Sequence, residues 1–98
     1  MNQTHYEILK VLYDENKTSA VNSMRLKELM KVGNNKGILL LTANSVYKQI
    51  LKLNKRGLVD TGLRVGKENT YYITPLGIDT KNQLEGGQWK WQERSIIG

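Results

Sequence analysis

The segment spanning positions 46–59 most constrains the fold, because the pattern of its apolar residues changes at a single glycine. Val46, Ile50 and Leu53 recur at the i, i+4, i+7 spacing of one helix face, whereas the apolar Leu58 and Val59 are adjacent. Gly57 stands at the change, and glycine readily adopts the left-handed conformation that ends many helices. The segment therefore predicts a helix buried along one stripe, a glycine stop and then a strand.

The sequence on both sides of this segment extends the prediction. Thr42 is a candidate N-cap, which gives a helix from about 42 to 55. A strand is expected over 58–65, a hairpin turn over 66–69 and a return strand over 70–73, since the return strand is rich in β-branched and tyrosine residues. Thr74 followed by proline predicts the start of a last helix that ends near residue 84.

The N-terminal part of the chain is expected to contribute two more helices. Thr4 and Glu7 have the spacing of a capping box, which predicts a first helix that begins at Thr4 and ends near Asn16. Ser23 is the candidate cap of a second helix over 24–31, and the glycine- and asparagine-rich stretch 33–37 predicts a break after it. Two strands alone do not make a stable sheet, so Ala20 and Val21 are candidates for a short third strand.

Chain length and composition indicate one small intracellular domain. The 98 residues suffice for one domain, expected over 1–85, followed by a tail over 86–98 that packs on the domain or contacts a second subunit through Trp89 and Trp91. The sequence contains no cysteine, no apolar run long enough to span a membrane and no secretory signal pattern. A cytoplasmic protein without membrane association is expected.

Positive charge is concentrated in the middle third. The net charge is +6, yet residues 31–67 hold eight cations and one carboxylate, while the remainder holds seven cations and eight carboxylates. A field confined to one region attracts a polyanion, which favours nucleic acid or an anionic surface over a neutral partner.

The sequence gives little support to catalysis or to metal binding. His5 is the single histidine, and no second ligand type or activated serine accompanies it. The glycines of 33–37 lack the spacing and the terminal Lys-Ser or Lys-Thr of a phosphate-binding loop. We therefore expect no enzyme activity, no metal site and no small-molecule cofactor.

The order of the expected elements is helix, helix, helix, β-hairpin, helix, and it leaves one face of the third helix free. That face carries Asn44, Ser45, Lys48 and Lys52, whose amide, hydroxyl and ammonium groups suit base edges and phosphates. The hairpin that follows carries further cations near its tip. A helix sized for the major groove beside a basic hairpin indicates recognition of double-stranded DNA.

Two signatures make the chain resemble a winged helix-turn-helix domain of the MarR/PadR type of bacterial regulator. The stretch LNKRGLV at 53–59 is similar to the end of the family's recognition helix, and YYITPLG at 71–77 is similar to the return strand of its wing. The resemblance covers roughly residues 4–84 and implies an α+β fold with a three-helix core, a β-hairpin wing over about 62–71 and a C-terminal helix. It implies a sequence-specific transcriptional regulator that acts as a homodimer on an inverted repeat. By position, it implies DNA contacts from Thr42, Asn44, Ser45, Tyr47, Lys48 and Lys52 of the recognition helix and from Arg64, Lys67 and Asn69 of the wing.

Two other functions remain open at this stage. The first is a plasmid or phage accessory protein that marks an origin of transfer (in conjugation) or of replication, with the wing as a main reader of DNA. The second is a protein-interaction module that uses the winged-helix fold without nucleic acid. The segregated charge argues against the second alternative without excluding an acidic protein partner.

Overall fold

A computed structural model of the chain describes residues 1–87. Within them, helices span Gln3–Asp14 (α1), Leu26–Asn35 (α2), Ala43–Lys55 (α3) and Pro75–Glu85 (α4). Short strands span Met24–Arg25 (β1), Val59–Thr61 (β2) and Thr70–Ile73 (β3). The expected contacts of Trp89 and Trp91 lie outside the described residues. No helix within residues 1–87 combines the length and apolar character needed to cross a bilayer.

The three strands form one antiparallel sheet in the order β1-β3-β2. Val59 pairs with Ile73 and Thr61 with Tyr71, which closes the hairpin. Met24 pairs with Tyr71 from the other side, so β3 is the central strand. The hairpin therefore does not stand alone, because β1 covers its second edge.

One apolar core joins the helices to the sheet. α1 contributes four fully buried side chains to it, and the predicted stripe of α3 is fully buried as well. The core residues of α1 and α3 are Ile8, Leu9, Val11, Leu12, Val46, Ile50 and Leu53. The prediction that one stripe fixes α3 to the core is confirmed.

The start of α1 differs from the prediction. Asn2 is the N-cap, and its side-chain oxygen accepts a hydrogen bond from the His5 amide at 2.9 Å. The expected capping box of Thr4 and Glu7 is therefore wrong. The Glu7 carboxylate instead accepts from the Leu39 amide at 3.2 Å, so it serves the segment that precedes α3.

The second helix also starts later than predicted, because the residues after Ser23 form β1. Ser23 does not cap a helix: its hydroxyl shares its one proton between the Ala20 carbonyl at 3.1 Å and the Thr70 hydroxyl at 2.8 Å. α2 begins at Leu26, with Arg25 as its N-cap. The third strand expected at Ala20 and Val21 is likewise wrong, since β1 takes that place in the sheet.

The break falls within the predicted stretch 33–37, because α2 ends at Asn35. The helix nevertheless runs past its expected end at residue 31, and Gly33 is a buried helical residue of α2. A Cβ at Gly33 would lie 2.7 Å from Leu39 Cδ1, so the glycine lets Leu39 pack against the helix. Leu39 has a φ of 54°, which is strained for leucine. The Asn34 side-chain amide donates to the Leu39 carbonyl at 2.9 Å, and the Glu7 carboxylate holds the Leu39 amide. These contacts and the burial of the side chain maintain the strained conformation.

The elements around α3 agree with the sequence more closely. Thr42 is the N-cap of α3, and Gly57 follows its end with a φ of 75°. Thr74 caps α4, and Pro75 occupies its first turn, as predicted. β2 is shorter than the strand expected over 58–65 because its ladder ends at Thr61.

Candidate nucleic-acid interface

The N-terminus of α3 is fixed by its own cap residues. The Thr42 hydroxyl accepts from the Ser45 amide at 3.2 Å and donates to the Ser45 hydroxyl at 2.9 Å. Both residues are exposed, but their hydroxyl groups are engaged with each other. Capping therefore accounts for a large part of the role of these two predicted contact residues.

The side of α3 opposite the core carries a single line of exposed residues. Asn44, Lys48, Leu51 and Lys55 follow the i, i+4, i+7, i+11 spacing, and all four are exposed. We call them the outer stripe. Each of the four lies two positions from a residue of the buried stripe. Two positions along a helix correspond to a rotation of about 200°, so the outer stripe points away from the core. The contact of the core with α3 thus determines which residues face solvent.

Two further predicted residues flank the outer stripe. Lys52 is exposed on one side of it, and Tyr47 is 36% exposed on the other. Burial raises the pKa of Tyr71 on β3, the nearby Tyr47 hydroxyl adds to this rise, and a side-chain hydrogen bond with Asn69 opposes it. Tyr47 and Asn69 therefore both lie near Tyr71, which brings α3 and the second arm of the hairpin together.

Beneath α3, a buried histidine connects the helix to α1. His5 is 4% exposed, and its Nε2 lies 2.6 Å from the Gln49 side-chain oxygen. Burial lowers the pKa of His5, and the charges of Arg56 and Lys52 act in the same direction against the hydrogen bond to Gln49. A neutral His5 with its proton on Nε2 donates to Gln49 and holds α3 on α1. The buried His5 therefore has a structural role as a contact between α1 and α3.

The hairpin tip, residues 62–69, is shaped by its backbone and by one arginine. Val65 and Glu68 pair around a turn in which Gly66 has a φ of 62°. The Arg64 guanidinium donates to the Lys67 carbonyl at 2.8 Å, which holds the guanidinium at the turn. Leu63 is 60% exposed and Val65 is 51% exposed, so the tip presents apolar as well as cationic side chains.

Three contacts attach the hairpin to the rest of the domain. Arg25, at the start of α2, forms an ion pair with Glu68 at 3.3 Å. The buried Thr70 hydroxyl accepts from the Ser23 hydroxyl at 2.8 Å and donates to the Leu63 carbonyl within the hairpin at 2.6 Å. Gly62 lies so close to the Ala20 carbonyl that an added Cβ would sit 2.5 Å from its oxygen. The hairpin therefore has a defined position beside α3.

The cations of α3 and the hairpin share one electrostatic property. Among residues 1–87, none of them has a carboxylate partner within 4.0 Å, whereas Lys10, Arg25, Lys36 and Lys81 do. The cations without such a partner on these elements are Lys48, Lys52, Lys55, Arg56, Arg64 and Lys67. Within residues 1–87, the positive charge of α3 and the hairpin is thus not neutralised by ion pairs, which is the condition for attracting a polyanion.

All nine residues predicted to contact DNA are exposed, and the structure divides them into two groups. Thr42, Asn44, Ser45, Tyr47, Lys48 and Lys52 lie at the cap or on α3, and Arg64, Lys67 and Asn69 lie in the hairpin tip. Leu51 was not among the predicted contacts, although its distance of seven residues from Asn44 places it on the outer stripe. The described residues contain no group of three or more histidine, aspartate or glutamate side chains arranged to hold a metal ion.

Several solved structures share this architecture. The DNA-binding TubR fragment from Clostridium botulinum is 26% identical, with a TM-score of 0.65 over 86% of this chain and 96% of that one. TubR from Bacillus megaterium pBM400 is 18% identical, with a TM-score of 0.68 over 85% of this chain and 83% of that one. A PadR-family transcriptional regulator from Eggerthella lenta is 20% identical, with a TM-score of 0.66 over 83% and 70% of the two chains. The chain has the winged-helix fold. No protein-family model and no curated protein sequence matches it.

The fold assignment confirms the α+β architecture inferred from the two sequence signatures. In winged-helix terms, α3 occupies the place of the recognition helix and the β2–β3 hairpin occupies the place of the wing. The contacts that attach the wing to α2 and β1 explain how a two-stranded element of this length keeps its position.

Proposed function

We propose that the chain binds duplex DNA in a sequence-specific manner and acts as a transcriptional regulator. α3 would enter the major groove with its outer stripe toward the base edges, and the wing would contact the adjacent backbone. The observation that carries the proposal is the set of six cations on α3 and the wing that lack a carboxylate partner among the described residues. Similarity to DNA-binding and PadR-family proteins of the same fold supports it.

The chemistry of the outer stripe supports direct reading of bases. An asparagine amide can pair with adenine through two hydrogen bonds, and a lysine can donate to guanine O6 and N7. Asn44 and Lys48 are one turn apart, so they would meet neighbouring base pairs. Lys55 lies at the end of α3, about 16 Å along the helix from Asn44, which exceeds the groove width of about 12 Å and suits a phosphate contact.

Fluorescence anisotropy with a duplex obtained by selection tests this function. Lys48→Ala and Arg64→Ala should each weaken binding and reduce the slope of log K against log salt by about one. Lys10→Ala is the matched control, because it removes the same charge from α1, where Lys10 is paired with Asp14. If the variant lacking both Lys48 and Arg64 bound every duplex as tightly as the unaltered chain, the proposed interface would be wrong.

A second candidate function keeps DNA as the partner and makes the wing the main reader. It is favoured by the exposed Leu63 and Val65 at the hairpin tip, since apolar side chains beside arginine suit insertion into the minor groove. Such a protein could mark an origin of transfer or replication on a plasmid or phage. Comparing variants of Asn44 and Lys48 with variants of Arg64 and Lys67 on one selected duplex separates the two functions. A larger loss from the wing variants favours the second.

We also propose that the chain binds its site as a homodimer, because paired half-sites are the common way in which small helix-turn-helix proteins reach useful specificity. Sedimentation of the free and DNA-bound protein measures the stoichiometry directly. A different outcome, with no retardation of any random duplex at low salt, would favour an acidic protein as the partner instead.

A further inference from the structure

The outer stripe contains one residue that neither phosphate binding nor hydrogen bonding to bases explains. Leu51 is 43% exposed and lies on the side of α3 opposite the buried stripe. Lys48 precedes it by three residues and Lys55 follows it by four, so its nearest neighbours along the stripe are cations. An apolar side chain thus lies in the middle of the surface whose cations lack a carboxylate partner among residues 1–87.

Neither the core nor helix propensity accounts for a leucine at this position. The core contacts of α3 are made by Val46, Ile50 and Leu53, all fully buried. Leucine, lysine and glutamine favour helix almost equally, so an exposed position on α3 would be served as well by a polar residue. Single exposed leucines are common on protein surfaces. The position of Leu51 within the outer stripe is what distinguishes it.

The spacing along α3 allows Leu51 to enter the same stretch of major groove as Asn44. Asn44 and Leu51 are seven residues apart, which is about 10 Å along the helix and therefore fits within a major groove about 12 Å wide. The one apolar group that base pairs present in that groove is the C5 methyl of thymine. Lys55 can contact a phosphate that borders the groove while Lys48 donates to a base edge, so the surroundings of Leu51 are complementary to DNA in charge.

We propose that Leu51 reads thymine through contact with its C5 methyl group, and that the recognised site contains a thymine at the position facing Leu51. This inference rests on the proposed DNA binding. Within the outer stripe, Asn44 and Lys48 form hydrogen bonds to bases, and Leu51 supplies the apolar contact that distinguishes thymine from cytosine.

The test uses deoxyuridine, which lacks the methyl group and keeps the hydrogen-bonding groups of thymine. Each thymine of a selected duplex is replaced in turn, and the Kd is measured for the whole chain. For the unaltered chain, replacement at one position of each half-site should weaken binding about fourfold per methyl group removed. In Leu51→Ala, the same replacement should leave the Kd unchanged, and the variant should bind the thymine duplex more weakly than the unaltered chain.

Leu76→Ala is the control, because Leu76 is a leucine on α4 that is 53% exposed and lies outside the outer stripe. It should keep the full sensitivity to deoxyuridine. The inference is overturned if no thymine position matters to the unaltered chain, or if Leu51→Ala keeps the sensitivity. It is also overturned if Leu51→Ala converts a dimer to a monomer in sedimentation while the deoxyuridine profile stays the same, since Leu51 would then contact a second copy of the chain. Failure of the unaltered chain to bind any duplex would instead reject the proposed function itself.

Discussion

Replacing Gly77 with alanine should destabilise the fold, although alanine is the better helix former. Gly77 lies in the first turn of α4, where the Thr74 hydroxyl accepts from its amide at 3.0 Å. A Cβ at Gly77 would overlap the Leu58 carbonyl oxygen and lie 2.7 Å from Ile73 Cγ1. The Leu58 carbonyl also accepts from the Thr74 amide at 3.1 Å, so it cannot turn away without weakening that hydrogen bond.

The expected change in the free energy of unfolding combines one favourable contribution with two unfavourable ones. Alanine favours the helix by about 0.5–1 kcal/mol relative to glycine. Overpacking against backbone costs about 1–3 kcal/mol, and a weakened hydrogen bond costs about 0.5–1.5 kcal/mol. The free energy of unfolding of Gly77→Ala should therefore fall by about 1–3 kcal/mol, which corresponds to a decrease in Tm of several degrees or more for a domain of this size.

Urea unfolding monitored by circular dichroism measures the effect, with an unchanged m-value as the sign that only stability has altered. Gly86→Ala is the matched control at the other end of α4. Gly86 has a φ of −79°, and an added Cβ would lie 3.4 Å from the nearest atom, the Asn82 carbonyl oxygen. The control should stay within about 0.5 kcal/mol of the unaltered chain. If Gly77→Ala were as stable as the unaltered chain, the close contact of α4 with Leu58 would not exist as described.

Three further predictions concern the interior. Because burial lowers the pKa of His5, the unfolded chain takes up its proton first as the pH falls below about 6.5. Stability should then decrease by up to about 1.4 kcal/mol per pH unit until the pH passes below the folded pKa, and His5→Gln should remove this slope between pH 6.5 and 5, as unfolding curves at several pH values would show. Lys81 is buried and pairs with Glu85 at 2.9 Å, so Lys81→Met should cost about 1–2 kcal/mol in urea unfolding, and adding Glu85→Gln should recover part of the loss. Gly33→Ala and Leu39→Ala should each destabilise the chain, yet the double variant should cost at least about 1 kcal/mol less than their sum, and strict additivity would contradict the contact between the two residues.

The third helix could be predicted from sequence because all its signals are local. The buried stripe of Val46, Ile50 and Leu53 has a single helical period, Thr42 is a competent cap, and Gly57 is a competent stop. None of these signals depends on a distant part of the chain. The same holds for Thr74 and the proline that follows it at the start of α4.

The errors in the N-terminal half have a different origin. Asn2 and Thr4 are both competent caps. A capping box at Thr4 would need the Glu7 carboxylate, but that carboxylate accepts from the distant Leu39 amide instead. β1 is two residues long, so it has no periodicity of its own and is defined only by pairing with β3. Gly33 looks like a helix stop in the sequence, while its role is to admit Leu39 from a segment whose path the sequence does not show.

The candidate interface was only partly accessible to sequence reasoning. The segregation of charge could be counted, and all nine predicted contact residues are exposed. The engagement of Thr42 with Ser45 and of Arg64 with the Lys67 carbonyl could not be anticipated, because both depend on backbone geometry at a cap and a turn. Leu51 was overlooked because an apolar residue in a helix is ordinarily assigned to the core, whereas its spacing from Asn44 places it outside.

The cations of α3 and the wing, which lack a carboxylate partner among the described residues, also repel one another in the free protein. Like charges held together by the fold repel, so the unbound domain is less stable than its core alone would make it. Added salt should therefore strengthen the free fold while it weakens the proposed DNA complex, and the two dependences should have opposite signs. Under the proposed function, duplex DNA would act as the missing counterion and raise the stability of every bound copy. Unbound copies would be the ones that unfold and are degraded first, which would couple the abundance of the protein to the number of its sites.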